Sequence, residues 1–297
     1  MNTFKTLLLT FVVVLAMPAT AAEHVLKIAT VSPEGSYWME TMRAGAAEIS
    51  QRTEGRVELK FYGGGVMGND KKVFRKMRIG QLHGGTFTSG GLSDHAPNAQ
   101  LYGLPMLLSE QAEVDFIRER MDEQLIARLE DAGFVSSGFA GGGFAKLMSN
   151  EPLRSLDDLR GKKVWVPEGD TISAAALESL GLAPVTLPIT DVLTGLQTGL
   201  IDIIGSSAVA AVVLQWHTKV KYVSDLPVTY IYATLVIDDR AFGKLDAADQ
   251  AVVREVLTAT YKELDRVNRD DEIKAMAALE KAGIEVIEID PAQVPQW

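Results

Sequence analysis

The sequence predicts an α/β fold of two lobes joined by strands. Short apolar runs alternate with helix-like segments along the chain, a pattern typical of sheets built by crossovers. The central unit, residues 161–207, shows this most clearly, because apolar runs at 163–166, 184–187 and 201–205 are separated by two helical segments. The β-rich run 227–238 is long enough to cross from one lobe to the other.

Length, charge and cysteine content narrow the class of protein. At 297 residues the chain has room for two domains, and a hydrophobic content of 47% suffices for packed cores. The net charge is −10 and no run of Lys and Arg occurs, so we expect no nucleic-acid partner. The chain has no cysteine, so a disulfide framework is not available to it.

Residues 1–21 have the features of a signal peptide. Lys5 precedes an apolar run at 7–17, and the small residues Ala19 and Ala21 fit the A-x-A cleavage rule. We expect cleavage between Ala21 and Ala22, which gives a periplasmic protein. The apolar run is too short to span a bilayer comfortably. No other stretch is apolar enough, so we expect no direct membrane insertion.

The predicted first lobe comprises residues 22–145, and about 234–270 return to it. In its first helix, Met39, Met42, Ala46 and Ile49 fall on one face, as the helical period requires. The predicted strands are 25–31, 56–62, 82–88 and 134–139, and the predicted helices are 36–52, 69–78 and 109–131.

The predicted second lobe comprises residues 146–233 together with about 271–297. A strand at 144–149 enters it after the triplet Gly141, Gly142 and Gly143. The remaining predicted elements are the three strands of the central unit, a helix at 208–218, a very long helix at 246–282 and a last strand at 284–289. Lobes joined by strand hinges close around a ligand by rigid-body rotation.

Motifs for catalysis or cofactor binding are weak. Gly63, Gly65 and Gly68 match the dinucleotide spacing, but the next strand ends without the acidic residue that would hold the ribose. A glycine-rich turn is therefore the better interpretation. The four histidines lack metal-ligand spacing, and no serine has an identifiable base. We expect neither an enzyme nor a bound cofactor or metal.

Candidate ligand contacts follow the ends of strands and the crossovers. In open α/β sheets, the carboxyl ends of the strands form the crevice where small ligands bind. Taken singly, each aromatic residue here is more often part of a core than a ligand contact. The predicted contacts are Trp38, Thr88, Ser89, Gly91, Lys146, Trp165, Glu168, Asp170, Ser206, Ser207, Trp216 and Tyr230.

Three segments carry a family resemblance: residues 68–70 (Gly-Asn-Asp), 155–167 (SLDDLRGKKVWVP) and the helix-to-strand motif 196–202 (LQTGLID). The chain resembles the DctP family of TRAP transporter solute-binding proteins over nearly all of its mature length. This resemblance implies a two-lobe fold like that of periplasmic binding proteins, with the helix at 246–282 bracing both lobes. It also implies a receptor that captures a small solute and delivers it to TRAP-type membrane permease subunits.

The chain departs from this family where the solute is usually held. The resemblance places arginines that grip a carboxylate at Trp165 and near Ala145. The nearest cation is Lys146, and a one-residue step along a strand points to the opposite face. An indole cannot replace a charge-assisted guanidinium–carboxylate pair. We therefore expect a solute less anionic than dicarboxylates or sugar acids: neutral, zwitterionic or with an apolar body.

Two alternatives stay open at this point. A monocarboxylate could be held by Lys146 or by backbone N–H groups at a helix N-terminus. The protein could also be a ligand-sensing partner that presents its closed form to a membrane receptor rather than to a permease.

Overall fold

The computed structural model describes residues 22–297. The predicted signal peptide lies outside the described residues. The strands are β1 (His24–Ala29), β2 (Val57–Tyr62), β3 (Gly84–Thr88), β4 (Phe134–Ser136), β5 (Ala140–Ser149), β6 (Trp165–Pro167), β7 (Val185–Leu187), β8 (Ile203–Ser206), β9 (Tyr222–Ser224), β10 (Thr229–Asp238) and β11 (Glu285–Ile287). The α-helices are α1 (Tyr37–Arg52), α2 (Asp70–Arg78), α3 (Ser89–Leu92), α4 (Gln111–Asp131), α5 (Thr171–Ser179), α6 (Val192–Thr198), α7 (Ala208–Val213), α8 (Asp239–Phe242) and α9 (Ala247–Lys281).

One sheet runs through both lobes, with strand order β11-β9-β5-β10-β3-β1-β2. The part built on β1 to β4 is called lobe I, and the part built on β6 to β9 and β11 is called lobe II. In lobe I, β1 pairs in parallel with β2 and β3. In lobe II, β6 and β7 form a parallel pair, and β8 joins β5 in antiparallel register.

The antiparallel strands β5 and β10 link the two lobes. Residues 233–238 of β10 pair with β3 and β4 of lobe I, whereas residues 229–233 pair with β5. The far end of β5, residues 146–149, pairs with β8 and β9 of lobe II. Each of the two strands therefore belongs to both lobes, and this confirms the predicted strand hinges.

Helix α9 contributes to the cores of both lobes. Val253, Leu257 and Leu264 pack in lobe I with the buried face of α1. Leu279, near the other end of α9, packs in the core of lobe II. One rigid helix of 35 residues therefore braces the two lobes, as the family resemblance implies.

Three of the predicted elements differ in the structure. The glycine triplet lies inside β5 rather than before it, because Gly141 leaves room for the Tyr230 hydroxyl and Gly143 takes a left-handed φ of 86°. The predicted helix 208–218 breaks at Gln215, whose φ is +61°, and continues as a 3-10 turn. The predicted strand 134–139 ends at residue 136. Strand β9, helix α3 and the 3-10 helix Pro97–Gly103 were not predicted.

Candidate functional site

A cavity of about 320 Å³ lies between the lobes, in front of the hinge strands. Lobe I closes it with the end of β3 and the start of α3. Lobe II closes it with the carboxyl end of β6 and with α5, and the hinge strands form its floor. Its apolar lining includes Met106, Leu147, Leu177, Leu180, Ile189, Leu214, Val228 and Trp297.

Trp165 forms part of both the cavity wall and the core of lobe II. Its side chain is 6% exposed, and its ring meets that of Trp216 edge-on at 5.3 Å. The indole N–H donates to the Leu187 carbonyl at 2.9 Å, across the β6–β7 pair. Trp165 therefore presents an apolar surface to the cavity, and its one polar hydrogen is already used.

Polar groups reach the cavity from both lobes. Thr88 is the N-cap residue of α3 but makes no side-chain cap, so its hydroxyl is available beside that of Ser89. Ser206 of β8 lies directly opposite Lys146 of β5, so its side chain faces the α9 side, where its hydroxyl donates to the Ser207 carbonyl at 3.0 Å. The Asp170 carboxylate caps α5 by accepting the Ser173 N–H at 2.9 Å through Oδ1. Its other oxygen is free for a second partner.

The lining of this cavity contains no lysine, arginine or histidine among the described residues, and Asp170 is its one acidic side chain. Tyr230 is among the lining residues, but its ring packs on Phe144 at 5.2 Å between centroids and its hydroxyl lies beside Gly141, both on the α9 side. Burial raises the pKa of the Tyr230 hydroxyl, so this phenol stays neutral. The cavity is therefore apolar, with hydroxyls and one negative charge at its edge.

Seven of the predicted contacts meet at this cavity: Thr88, Ser89, Trp165, Asp170, Ser206, Trp216 and Tyr230. The other five lie elsewhere. Ser207 caps α7 by accepting the Ala210 N–H, and Trp38 donates to Asn268 near α9. Gly91 and Glu168 lie at the seam between the lobes, beside the cavity.

Lys146 points to the rear of the hinge, away from the cavity. Along β5, Ala145 and Leu147 face the cavity, whereas Phe144 and Lys146 face the α9 side. The Lys146 ammonium is paired with Asp225 at 2.6 Å. Alternate residues of a strand face opposite sides, so Lys146 cannot replace the arginine that the resemblance places near Ala145.

Sequence reasoning missed most of the apolar wall. Leu177 and Leu180 belong to the helix after Trp165, and no feature of their spacing separates a cavity wall from a core face. Met106 carries a left-handed φ of 58°, unusual for its residue type, which a sequence pattern does not reveal. Residues 22–297 contain no group of three or more histidine, aspartate or glutamate side chains placed to hold a metal ion.

A family model described as bacterial extracellular solute-binding protein, family 7 (DctP), matches residues 28–297. The chain belongs to this family. Its members are periplasmic, substrate-binding components of transport, and the TRAP proteins among them work with a membrane permease. Within the part of the chain that the structure describes, none of the helices is both long and apolar enough to cross a bilayer.

Known relatives agree with this assignment in fold and length. A TRAP periplasmic solute-binding protein from Xanthobacter autotrophicus Py2, solved with bound β-D-galacturonate, superposes with a TM-score of 0.84 at 25% identity, covering 91% of this chain and 90% of that one. The 2,3-diketo-L-gulonate-binding periplasmic protein YiaO of Escherichia coli K12 is 24% identical over 249 residues, which are 80% of this chain and 73% of the relative. The C4-dicarboxylate-binding periplasmic protein DctP of Rhodobacter capsulatus is 20% identical over 282 residues, 91% of this chain and 81% of the relative.

Proposed function

We propose that this protein captures a small solute with an apolar body and a neutral, zwitterionic or cationic head, and delivers it to a TRAP-type permease. The carrying observation is the cavity between the lobes, whose described lining has three tryptophans and no cationic side chain. The solute would contact Trp165 and Trp216 with its apolar part and the hydroxyls of Thr88 and Ser89 with its polar part.

The argument against an acidic solute is energetic. A carboxylate moved from water into this cavity would lose its hydration and find no guanidinium to replace it. Each charge-assisted hydrogen bond that is not made forgoes about 1.5–3 kcal/mol. Two missing bonds of an arginine fork would therefore weaken binding by at least about a hundredfold, since 1.4 kcal/mol corresponds to a factor of ten.

Asp170 sets the preferred sign of the head group. Its free oxygen could accept from an ammonium or a hydroxyl but would repel a carboxylate, and the indole of Trp165 offers a surface that favours cations over anions. Zwitterions and cations are therefore favoured over monoanions, and dianions are disfavoured most. This chain should differ in selectivity from the relatives described as binding galacturonate, diketogulonate or C4-dicarboxylates.

The proposal also includes the lobes that close around the solute and the export of the chain to the periplasm. Lobe I would comprise residues 22–145 and about 234–270, lobe II would comprise the rest, and the pair β5 and β10 would bend as ligand binds. The division of α9 between two cores supports this boundary.

The first 21 residues would export the chain and be removed between Ala21 and Ala22. Its role would be binding without catalysis.

Calorimetry with chemically matched probes tests the solute class. We expect succinate and galacturonate to bind at least about a hundredfold more weakly than the best of leucine, phenylalanine, cyclohexylammonium and cyclohexanol. Tight binding of succinate or galacturonate to the wild-type protein would refute the proposal.

A pair of variants tests the role of Asp170. Asp170→Asn keeps a side chain that caps helices well, so α5 should stay intact. It should weaken binding of a zwitterionic or cationic probe about tenfold and leave a neutral probe unaffected. Asp157→Asn is the matched control, because Asp157 is exposed and outside the cavity. Equal effects of the two variants would argue against a direct contact with Asp170.

A further inference from the structure

The two lobes touch at a seam beside the cavity, between the start of α2 and the loop after β6. Asn69 Nδ2 donates to Glu168 Oε2 at 2.8 Å, and Lys71 Nζ lies 3.2 Å from Glu168 Oε1. A Cβ atom built on Gly90 of lobe I would lie 3.2 Å from the backbone nitrogen of Asp170 in lobe II. These are contacts that exist only while the lobes are closed.

Asp70 lies inside the same seam, but its carboxylate, unlike that of Glu168, has no ion-pair or hydrogen-bond partner among the described residues. It is the first residue of α2, between Asn69 and Lys71, and its carboxylate packs directly against Gly91. No hydrogen bond from the described residues supports this carboxylate. Burial, with a smaller contribution from the charge of Glu168, raises the pKa of Asp70 to about 6. The start of a helix normally favours a negative charge, so burial dominates here.

The other charged groups around Asp70 do not neutralise it. Lys71 is engaged by Glu168. The seam opens into a cavity of about 330 Å³, which is lined by the other charged and titratable side chains near Asp70. Some of these side chains belong to α2 and others to the segment after α3. These are Arg75, Arg78, Asp94 and His95, together with Glu168 from lobe II.

We propose that Glu168 is a positioning residue that latches the closed state through Asn69 and Lys71, and that Asp70 makes this closure stronger as the pH falls. The inference requires only that the lobes open and close, and it does not depend on which solute binds. When the lobes separate, Asp70 loses the cover of Pro167 and Glu168 from lobe II, while Gly91 of its own lobe still packs against it. An ionised Asp70 therefore opposes closure, and a protonated Asp70 does not.

The direction of the pH dependence follows from proton uptake. The closed state holds the proton of Asp70 more tightly than the open state, so closing takes up a proton and is favoured at low pH. With a pKa of about 6 when closed and a lower value when open, the closed-to-open ratio should rise from pH 8 to pH 5, by at most about tenfold, the limit set by the ordinary value near 3.8. Above about pH 7 the ratio should be constant.

Fluorescence energy transfer between single labels on the two lobes measures this ratio without any solute. The sequence has no cysteine, so Ala47→Cys on α1 and Glu178→Cys on α5 give two labelling sites at exposed positions. In the otherwise unchanged protein we expect the closed-to-open ratio to rise between pH 8 and pH 5, by at most about tenfold. A ratio that does not change with pH would overturn the proposal.

Variants assign the effect to Asp70. Asp70→Asn should give a ratio that is high at pH 8 and independent of pH. Asp94→Asn and His95→Gln change two other titratable groups of the same cavity and should keep the wild-type pH profile. A profile abolished by either of these, or retained in Asp70→Asn, would overturn the assignment. Glu168→Gln should lower the ratio at pH 8 by severing the ion pair with Lys71 and should also reduce the pH-dependent gain.

Discussion

Replacing Trp165 separates its part in the core from its part in the cavity. The side chain is 6% exposed, its N–H donates to the Leu187 carbonyl at 2.9 Å, and its ring contacts Trp216 at 5.3 Å between centroids. Trp165→Phe keeps a ring but removes one of the two hydrogen bonds to that carbonyl, which still accepts the Glu168 N–H at 3.2 Å. The change should cost about 0.5–1.5 kcal/mol of folding free energy. Trp165→Ala removes the ring as well and should cost about 3–5 kcal/mol.

Thermal unfolding followed by far-UV circular dichroism measures both changes. For a protein of this size, each kcal/mol lowers the melting temperature by about 2–4 °C. We therefore expect a decrease of a few degrees for Trp165→Phe and of roughly 6–20 °C for Trp165→Ala.

Trp38→Phe is the matched control for Trp165→Phe. The Trp38 indole N–H also donates to one oxygen, Asn268 Oδ1, at 3.1 Å, but Trp38 lies in lobe I and outside the cavity. Trp38→Phe should lower the melting temperature to a similar extent and leave solute binding unchanged. A loss of less than about 1 kcal/mol in Trp165→Ala would refute the account of Trp165 as a core residue.

Three further substitutions test other parts of the structure. Arg118 is largely buried and bridges Asp122, Asp265 and the Phe139 carbonyl, so Arg118→Met should lower the free energy of unfolding by about 3–5 kcal/mol in a denaturation experiment. The control Arg128→Met breaks an exposed pair with Asp131 and should lower it by less than about 1 kcal/mol. Equal losses in the two variants would contradict this prediction. Gly141→Ala places a methyl group against the Tyr230 hydroxyl and should lower the free energy of unfolding by about 1–3 kcal/mol. If that contact is the cause, adding Tyr230→Phe to the same chain should restore part of the lost stability. Lys146→Met should leave the affinity for every solute unchanged in calorimetry, because Lys146 faces the α9 side; a loss of affinity would show that the cavity reaches it.

Much of the fold could be predicted from the sequence because the hydrophobic period reports burial directly. Met39, Met42, Ala46 and Ile49 form the buried face of α1, as their spacing predicts. The strand alternation of β5 also indicated that Lys146 would face away from a cavity at Ala145. Such local patterns depend only on which face of an element meets the core.

The candidate site was harder to predict because it depends on contacts between segments distant in sequence. The indole N–H of Trp165 is used by Leu187, a residue 22 positions along the chain. Glu168 follows a strand that ends at the cavity, yet Asn69 and Lys71 of the other lobe draw it to the seam. Ser207 was predicted as a contact because it ends a strand, but its hydroxyl caps α7. The partner that a side chain finds in a distant segment is not encoded in its own local pattern.

Native mass spectrometry of the exported protein, purified without added ligand, tests the central claim most directly. The lining of the cavity has no cationic side chain and one acidic side chain among the described residues. We therefore predict a co-purified small molecule whose mass and fragments identify a neutral, zwitterionic or cationic compound with an apolar body. A bound dicarboxylate or uronate would contradict the account.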